Sequence, residues 1–229
     1  MNPSYAAIRG RIEAAARAAG RHVLLLAVSK TQPATAIRNL AALGQRAFGE
    51  NQVQEALVKQ RELAALNPAD LELEWHLIGP LQSNKCREVA LHFDWLHSLD
   101  RQKLIEPLNR HRPAYSAPLK VLIQVNIDAE ASKSGCTPQA IPALAAAVAQ
   151  APRLALRGLM AIPAPHSDPA RRRAAFRRMH ELFTALQADF PALDMLSMGM
   201  SDDFELAIAE GATLVRLGTA LFGPRLQPQ

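Results

Sequence analysis

Cysteine is nearly missing from this chain. Cys86 and Cys136 are far apart, with no CxxC and no histidine at ligand spacing. That excludes a disulfide scaffold and leaves no zinc signature, so two reduced cysteines without a role and no metal are expected. Long apolar runs are missing too. No stretch approaches the roughly 18 unbroken apolar residues of a membrane span, and the opening "MNPSYAAIRGRIEAAARAAGR" has no signal-peptide core. The expectation is a cytoplasmic protein with no membrane partner. Aromatics are 5% of the chain and none interleave with its basic run, which is poor material for a nucleic-acid stacking platform. Glycine is lacking where a doubly wound open sheet would carry it: "VSKTQP", the turn after the first apolar run, has none.

What is present is an ordinary globular composition, 49% hydrophobic and 21% charged over 229 residues, with a net charge of +5. The basic residues are scattered apart from one knot, "ARRRAAFRRMHELF". Phe176, Met179, Leu182, Phe183 and Leu186 follow helical spacing there, which places most of the arginines on the opposite, wet face. A solvated helix face is therefore expected, and no nucleic-acid partner.

After an amphipathic opening helix with Ile8, Ile12 and Ala15 on one side, strand-like and helix-like runs alternate. The strand-like runs are "HVLLLAV", "RAFG", "LEWHLIG", "FDWLHSL", "LKVLIQVNI", "LALRGLMAI", "DMLSMG" and "TLVRLG". Alanine- and leucine-rich segments such as "TAIRNLAALG" and "PQAIPALAAAVAQ" lie between them. Several strands are apolar on both faces, as in a parallel sheet covered by helices. Eight such units fit a compact α/β fold, a single (β/α)8 TIM barrel with an extra N-terminal helix, spanning 1–229 as one domain.

Such a barrel carries its chemistry where strands finish. Lys30 follows the first strand, Glu50 and Asn51 the second, "GPLQSNK" the third, "NIDAEASKSG" the fifth, "PAPH" the sixth, "MSDD" the seventh and "GTALFG" the eighth. The last two exits often hold a phosphate. Gly218 and Thr219 start a short helix whose first amides can face an anion, with Ser201 reaching across. Asp202, Asp203 and Glu205 already compensate the neighbouring helix dipole, so the anion belongs nearer Gly218. The alternative is a Ser201 N-cap and a simple "GT" turn.

Lysine at the end of "LLLAVSK" is costly unless it gains something there. Above Leu26 and Val28, desolvation favours the neutral amine, the form that attacks an aldehyde. A lysine imine and a phosphate cradle in one mouth point to a small phosphorylated aldehyde, pyridoxal phosphate or a sugar phosphate. Arg216, two residues before Gly218, points to the barrel interior. A pyridine nitrogen would suit it as acceptor, with a carboxylate such as Glu50 or Asp203 as the alternative.

"LLAVSKTQP", "FGENQVQE", "EWHLIGPLQSNK", "LIQVNI…KSG", "RGLMAI", "LSMGMSDDFELAIAEG" and "VRLGTALFG" together resemble the YggS/PROSC pyridoxal phosphate homeostasis family. The resemblance runs from about residue 5 to residue 225. It implies the barrel of the alanine racemase N-terminal domain, binding of pyridoxal 5′-phosphate, a role in vitamin B6 and amino-acid homeostasis, and no established catalysis. Carried over motif by motif, Lys30 would form the Schiff base. Ser201, Gly218 and Thr219 would hold the phosphate, Arg216 would meet the ring nitrogen, and Asn51 would line the ring. Met160, Met198 and Met200 are pocket walls or ordinary core. His76 reads as a satisfied core histidine or a pocket residue, and Lys85 as a second anion contact or a solvated side chain.

An arginine on the ring nitrogen keeps its proton, which leaves the cofactor a weak electron sink. Racemases with such an arginine add a tyrosine from a second domain. Here Tyr5 lies in the opening helix and Tyr115 before the fifth strand, on the wrong rim. A monomeric carrier or buffer that passes the cofactor to apo-enzymes is the expected function. A fold-type III racemase or lyase using Lys30 as sole base is the alternative, and a phosphosugar aldolase a third.

Overall fold

The computed structural model of the chain describes residues 3–66, 72–130, 133–165 and 167–223. Eight strands, β1 (Leu24–Val28), β2 (Ala47–Glu50), β3 (Glu74–Leu77), β4 (Trp95–Leu99), β5 (Leu119–Val125), β6 (Leu154–Ala161), β7 (Met195–Ser197) and β8 (Leu214–Leu217), pair in parallel and in chain order, and β8 closes on β1. The barrel read from the alternating runs is present, strand for strand.

Around it lie α1 (Pro3–Ala18), α2 (Ala34–Ala41), α3 (Val53–Leu66), α4 (Cys86–His92), α5 (Ile105–His111), α6 (Ile141–Ala149), α7 (Pro169–Asp189), α8 (Phe204–Ala209) and α9 (Thr219–Phe222). Pro107 and Pro142 sit in the first turns of α5 and α6, where a missing N–H costs least. The apolar stripe of α7 is buried through Phe176, Met179, Phe183 and Leu186. Its arginines stand on the outer face, with Arg173 and Arg177 on Glu210 and Arg178 on Asp128.

Strand alternation sorts the side chains into two populations. Ala27, Phe48, Trp75, Leu77, Leu96, Val121, Ile123, Leu159, Leu196, Val215 and Leu217 face outward and join the helices in one continuous core. Trp95, Leu122 and Met160 pack separately with Met195 inside the barrel. Cys86 and Cys136 are free and buried, and burial pushes the Cys136 thiol up to about 11. No helix among the described residues is long and apolar enough to cross a membrane.

Candidate functional site

Lys30 follows β1 by two residues and continues the interior-facing series Leu26, Val28. It is half-buried, and its amine has no hydrogen-bond or ion-pair partner among the described residues. Its chain neighbours, by contrast, are tied down. The Ser29 N–H donates to Gly49 O at 2.9 Å, and the Ser29 hydroxyl donates to Glu50 Oε1 at 2.6 Å. The ammonium of Lys59, on α3, donates to Ser29 O and to Glu50 Oε1, both at 2.8 Å. Glu55 Oε1 accepts from Lys59 and from the Thr31 N–H, each at 2.6 Å. Thr31 has φ of 64°, a left-handed conformation that β-branched residues avoid and that persists only where surroundings impose it. Burial raises the Glu50 pKa, and Lys59 and Ser29 oppose the rise.

The other sequence-derived residues converge on four adjacent strand exits: β7, β8, β1 and β2. Gly218 follows β8 directly beside β1. A Cβ at Gly218 would lie 3.2 Å from Val28 O, a tight contact that the absent side chain avoids where the two exits meet. Thr219 and Ala220 open α9, and their amides have no helical acceptor. The Ser201 hydroxyl caps nothing: α8 begins at Phe204, and Asp203 Oδ1 accepts from the Met200 N–H at 2.7 Å instead. The N-cap alternative for Ser201 is thus set aside. Asn51, after β2, has a buried Oδ1 without a hydrogen-bond partner among the described residues. Its backbone runs so close to Gly79 that a Cβ there would meet Asn51 O at 2.0 Å.

Arg216 points into the barrel, as read, and is buried. Among the described residues its guanidinium makes no ion pair with a carboxylate. Nη1 donates to Ser197 O at 2.9 Å and to Ser197 Oγ at 2.7 Å, and Nη2 donates to Ala161 O at 2.8 Å. Glu50 is on the outer face with Lys59, and Asp203 attracts the guanidinium without forming an ion pair with it. Burial lowers the Arg216 pKa to about 10, so it remains a cation at neutral pH.

Beneath Arg216 lies a set of polar residues that strand patterning did not single out. The Nδ1 of His97 is 3.3 Å from Ser197 Oγ, and its Nε2 is 2.9 Å from His76 Nδ1. His76 stacks on Trp95 with centroids 5.3 Å apart and rings inclined by 8°. Glu74 accepts from Trp95 Nε1 at 2.8 Å and from Lys120 at 2.7 Å. His76 is therefore a barrel-interior residue rather than a histidine of the outer core. A cavity of about 290 Å³ adjoins this lower end, bounded by Tyr5, Arg9, Arg46, Glu74, His76 and Trp95, at the mouth opposite Lys30.

Burial holds both histidines below the ordinary imidazole range, and at His97 the neighbouring His76 and Arg216 add to it. In the unfolded chain these rings take up protons near pH 6.5 that the folded protein refuses, so stability is full above that pH and falls as the solution is acidified. The slope is roughly 1.4 kcal/mol per pH unit for each ring that stays neutral. Urea unfolding at pH 7 and at pH 5.5 checks this, with a shallower slope expected in His97→Asn. An identical slope in that variant would count against the assignment.

Of the remaining sequence candidates, Lys85 lies half-buried 3.8 Å from Glu88 of its own turn. Met160 and Met198 are buried, whereas Met200 is exposed. Residues 131–132 of the fifth exit and His166 of the sixth lie outside the described residues. No group of three or more potential metal ligands occurs among the described residues.

Comparison with known proteins bears on this arrangement. The family model for the alanine racemase N-terminal domain matches residues 4–226. The pyridoxal phosphate homeostasis protein of Pseudomonas aeruginosa is 58% identical over 225 residues, 97% of this chain and 94% of that one. PipY of Synechococcus elongatus PCC7942 has been solved without and with pyridoxal phosphate bound. The two structures align with TM-scores of 0.85 and 0.82 at 41% and 40% identity, each covering 96% of this chain and 98% of PipY. Closed barrel, matched family model and full-length relatives agree: the chain belongs to the alanine racemase N-terminal domain family and, within it, to the pyridoxal phosphate homeostasis proteins.

Proposed function

We propose that this protein binds pyridoxal 5′-phosphate at the upper mouth of its barrel and acts as a carrier or buffer for it. The observation that carries this reading is the amine of Lys30, unpartnered among the described residues, on the exit next to the Gly218–Thr219 turn. The residues present fit the group, because the mouth keeps unspent hydrogen-bonding capacity: the buried Asn51 Oδ1 and the first amides of α9. When bound, pyridoxal phosphate supplies an aldehyde that an amine can hold covalently with loss of water, together with an anion and a ring nitrogen. Lys30 is the point of covalent attachment. Ser201, Gly218 and Thr219 hold the phosphate, Arg216 donates to the ring nitrogen, and Asn51 lines the ring. The bound state of PipY, at 40% identity, supports the same ligand.

Arg216 keeps its proton at neutral pH, so it does not hand one to the ring and the electron sink stays weak. Tyr5 is buried beside Gln45 at the lower end of the barrel, and Tyr115 is 91% exposed ahead of β5. Neither is placed to face Lys30 across a substrate. A holder acting as a monomer in the cytoplasm, releasing cofactor to apo-enzymes that need it, is the function this geometry favours over proton transfer on two faces.

The test combines trapping with turnover. Incubation with pyridoxal phosphate should give a visible band that borohydride abolishes, and mass spectrometry should then place one reduced pyridoxyl group on Lys30. Attachment to a different lysine, or none, overturns the site. Deuterium wash-in at amino-acid α-carbons faster than about 1 per second would favour a racemase instead.

A further inference from the structure

Four side chains on four strands are hydrogen-bonded in series down the barrel, His76 on β3, His97 on β4, Ser197 on β7 and Arg216 on β8, and Glu74 of β3 lies 3.5 Å beyond His76 at the lower mouth. Their chemistry allows only one polarity. A guanidinium can only donate and a carboxylate can only accept, while the hydroxyl and the two neutral imidazoles between them each do both. Arg216 Nη1 donates to Ser197 Oγ, so the hydroxyl passes its own hydrogen to His97 Nδ1. His97 then carries its proton on Nε2 and donates it to His76 Nδ1. That leaves the His76 proton on its buried Nε2, which makes no hydrogen bond among the described residues and lies 3.5 Å from Glu74 Oε2. Reversing any one tautomer would set two hydrogens against each other or leave the hydroxyl hydrogen without an acceptor. Three of these residues, His76, His97 and Ser197, are almost fully buried, so water cannot make good such a fault.

We propose that Ser197, His97 and His76 are positioning residues, a one-way hydrogen-bonded column that fixes the orientation of Arg216 and so sets the strength of its contact with the cofactor's ring nitrogen. The inference rests on the reading that Arg216 meets that nitrogen. The column lies below the ligand and touches it only through the guanidinium. Its loss would let Arg216 rotate about its remaining carbonyl contacts, at Ser197 and Ala161, without altering Lys30 or the phosphate exits.

A pair of ligands separates this role from a structural one: pyridoxal phosphate, and its carbocyclic analogue with C–H in place of the ring nitrogen. His97→Leu should weaken pyridoxal phosphate about tenfold, equivalent to about 1.4 kcal/mol, and leave the analogue within about twofold. His97→Asn, whose amide oxygen can accept the Ser197 hydrogen as Nδ1 does, should recover most of the loss. Ser197→Ala should repeat the selective effect, and it serves if His97→Leu does not fold. Equal weakening of both ligands, or no weakening, overturns the column. Arg216→Leu tests the reading underneath. Should it fail to discriminate the two ligands, Arg216 does not face the nitrogen and the column's role falls with it. In every variant, borohydride trapping at Lys30 should persist.

Discussion

Lys59→Met is expected to destabilise the fold by about 3–5 kcal/mol, the cost of leaving a buried charge without its partner. Methionine keeps most of the side-chain volume, so the loss is electrostatic rather than a cavity. Glu50 is fully buried with Oε2 already unpartnered, and without Lys59 its Oε1 would retain only the Ser29 hydroxyl. Glu50→Gln in the same background removes the stranded charge and should recover part of the loss, which a double-mutant cycle by urea unfolding measures. A single-variant cost below about 1 kcal/mol would show that the pair does not support this corner of the barrel. The consequence extends to the cofactor. Lys59 and Glu55 together hold Ser29 O and the Thr31 N–H, on either side of Lys30. With that clamp loosened, the left-handed Thr31 has less to hold it, and affinity for pyridoxal phosphate should fall even where the variant remains folded.

The contrast between Lys59 and Lys30 shows how much of the site a sequence can express. The strand-exit positions of Lys30, Asn51, Ser201, Gly218 and Thr219 were legible because each follows a run that marks a strand, which is where a barrel carries its reactive groups. Lys59 was not. It sits in "VQEALVKQRELAAL", where a lysine four residues after a glutamate reads as a surface ion pair. Only the closed barrel, which carries Glu50 and Ser29 to the same spot, makes it a buried cation. In retrospect the signal was Glu50 itself, a carboxylate on the outward face of a short strand, where a partner must reach it from the covering helix. His97 escaped for a related reason. In "WLHSL" the leucines face the helices and Trp95 and His97 face inward, so the polar residues occupy the side ordinarily assumed to be apolar. The eight strands and their order survived because two-faced burial and helical spacing need no knowledge of partners.

Lys30→Ala should have the opposite profile: little change in stability and a large change in binding. The amine makes no hydrogen bond or ion pair among the described residues, and the strained Thr31 behind it is held by Glu55, so removal should shift unfolding by no more than about 0.5 kcal/mol. Binding is another matter. The covalent attachment disappears, and with it the borohydride-sensitive band. The proposed phosphate and ring contacts, at Ser201, Gly218, Thr219 and Arg216, lie on other strands and should persist. Equilibrium dialysis should therefore find pyridoxal phosphate still bound but about 30- to 150-fold weaker, a loss of about 2–3 kcal/mol. Pyridoxal without its phosphate separates the two halves of the site. It should still label Lys30 in the wild-type chain, because the amine remains, and should not bind detectably to Lys30→Ala, because both anchors are gone. An unchanged band in Lys30→Ala would move the covalent anchor to another lysine. Retained pyridoxal binding would show that the ring pocket around Asn51 and Arg216, rather than the two anchors, supplies most of the affinity.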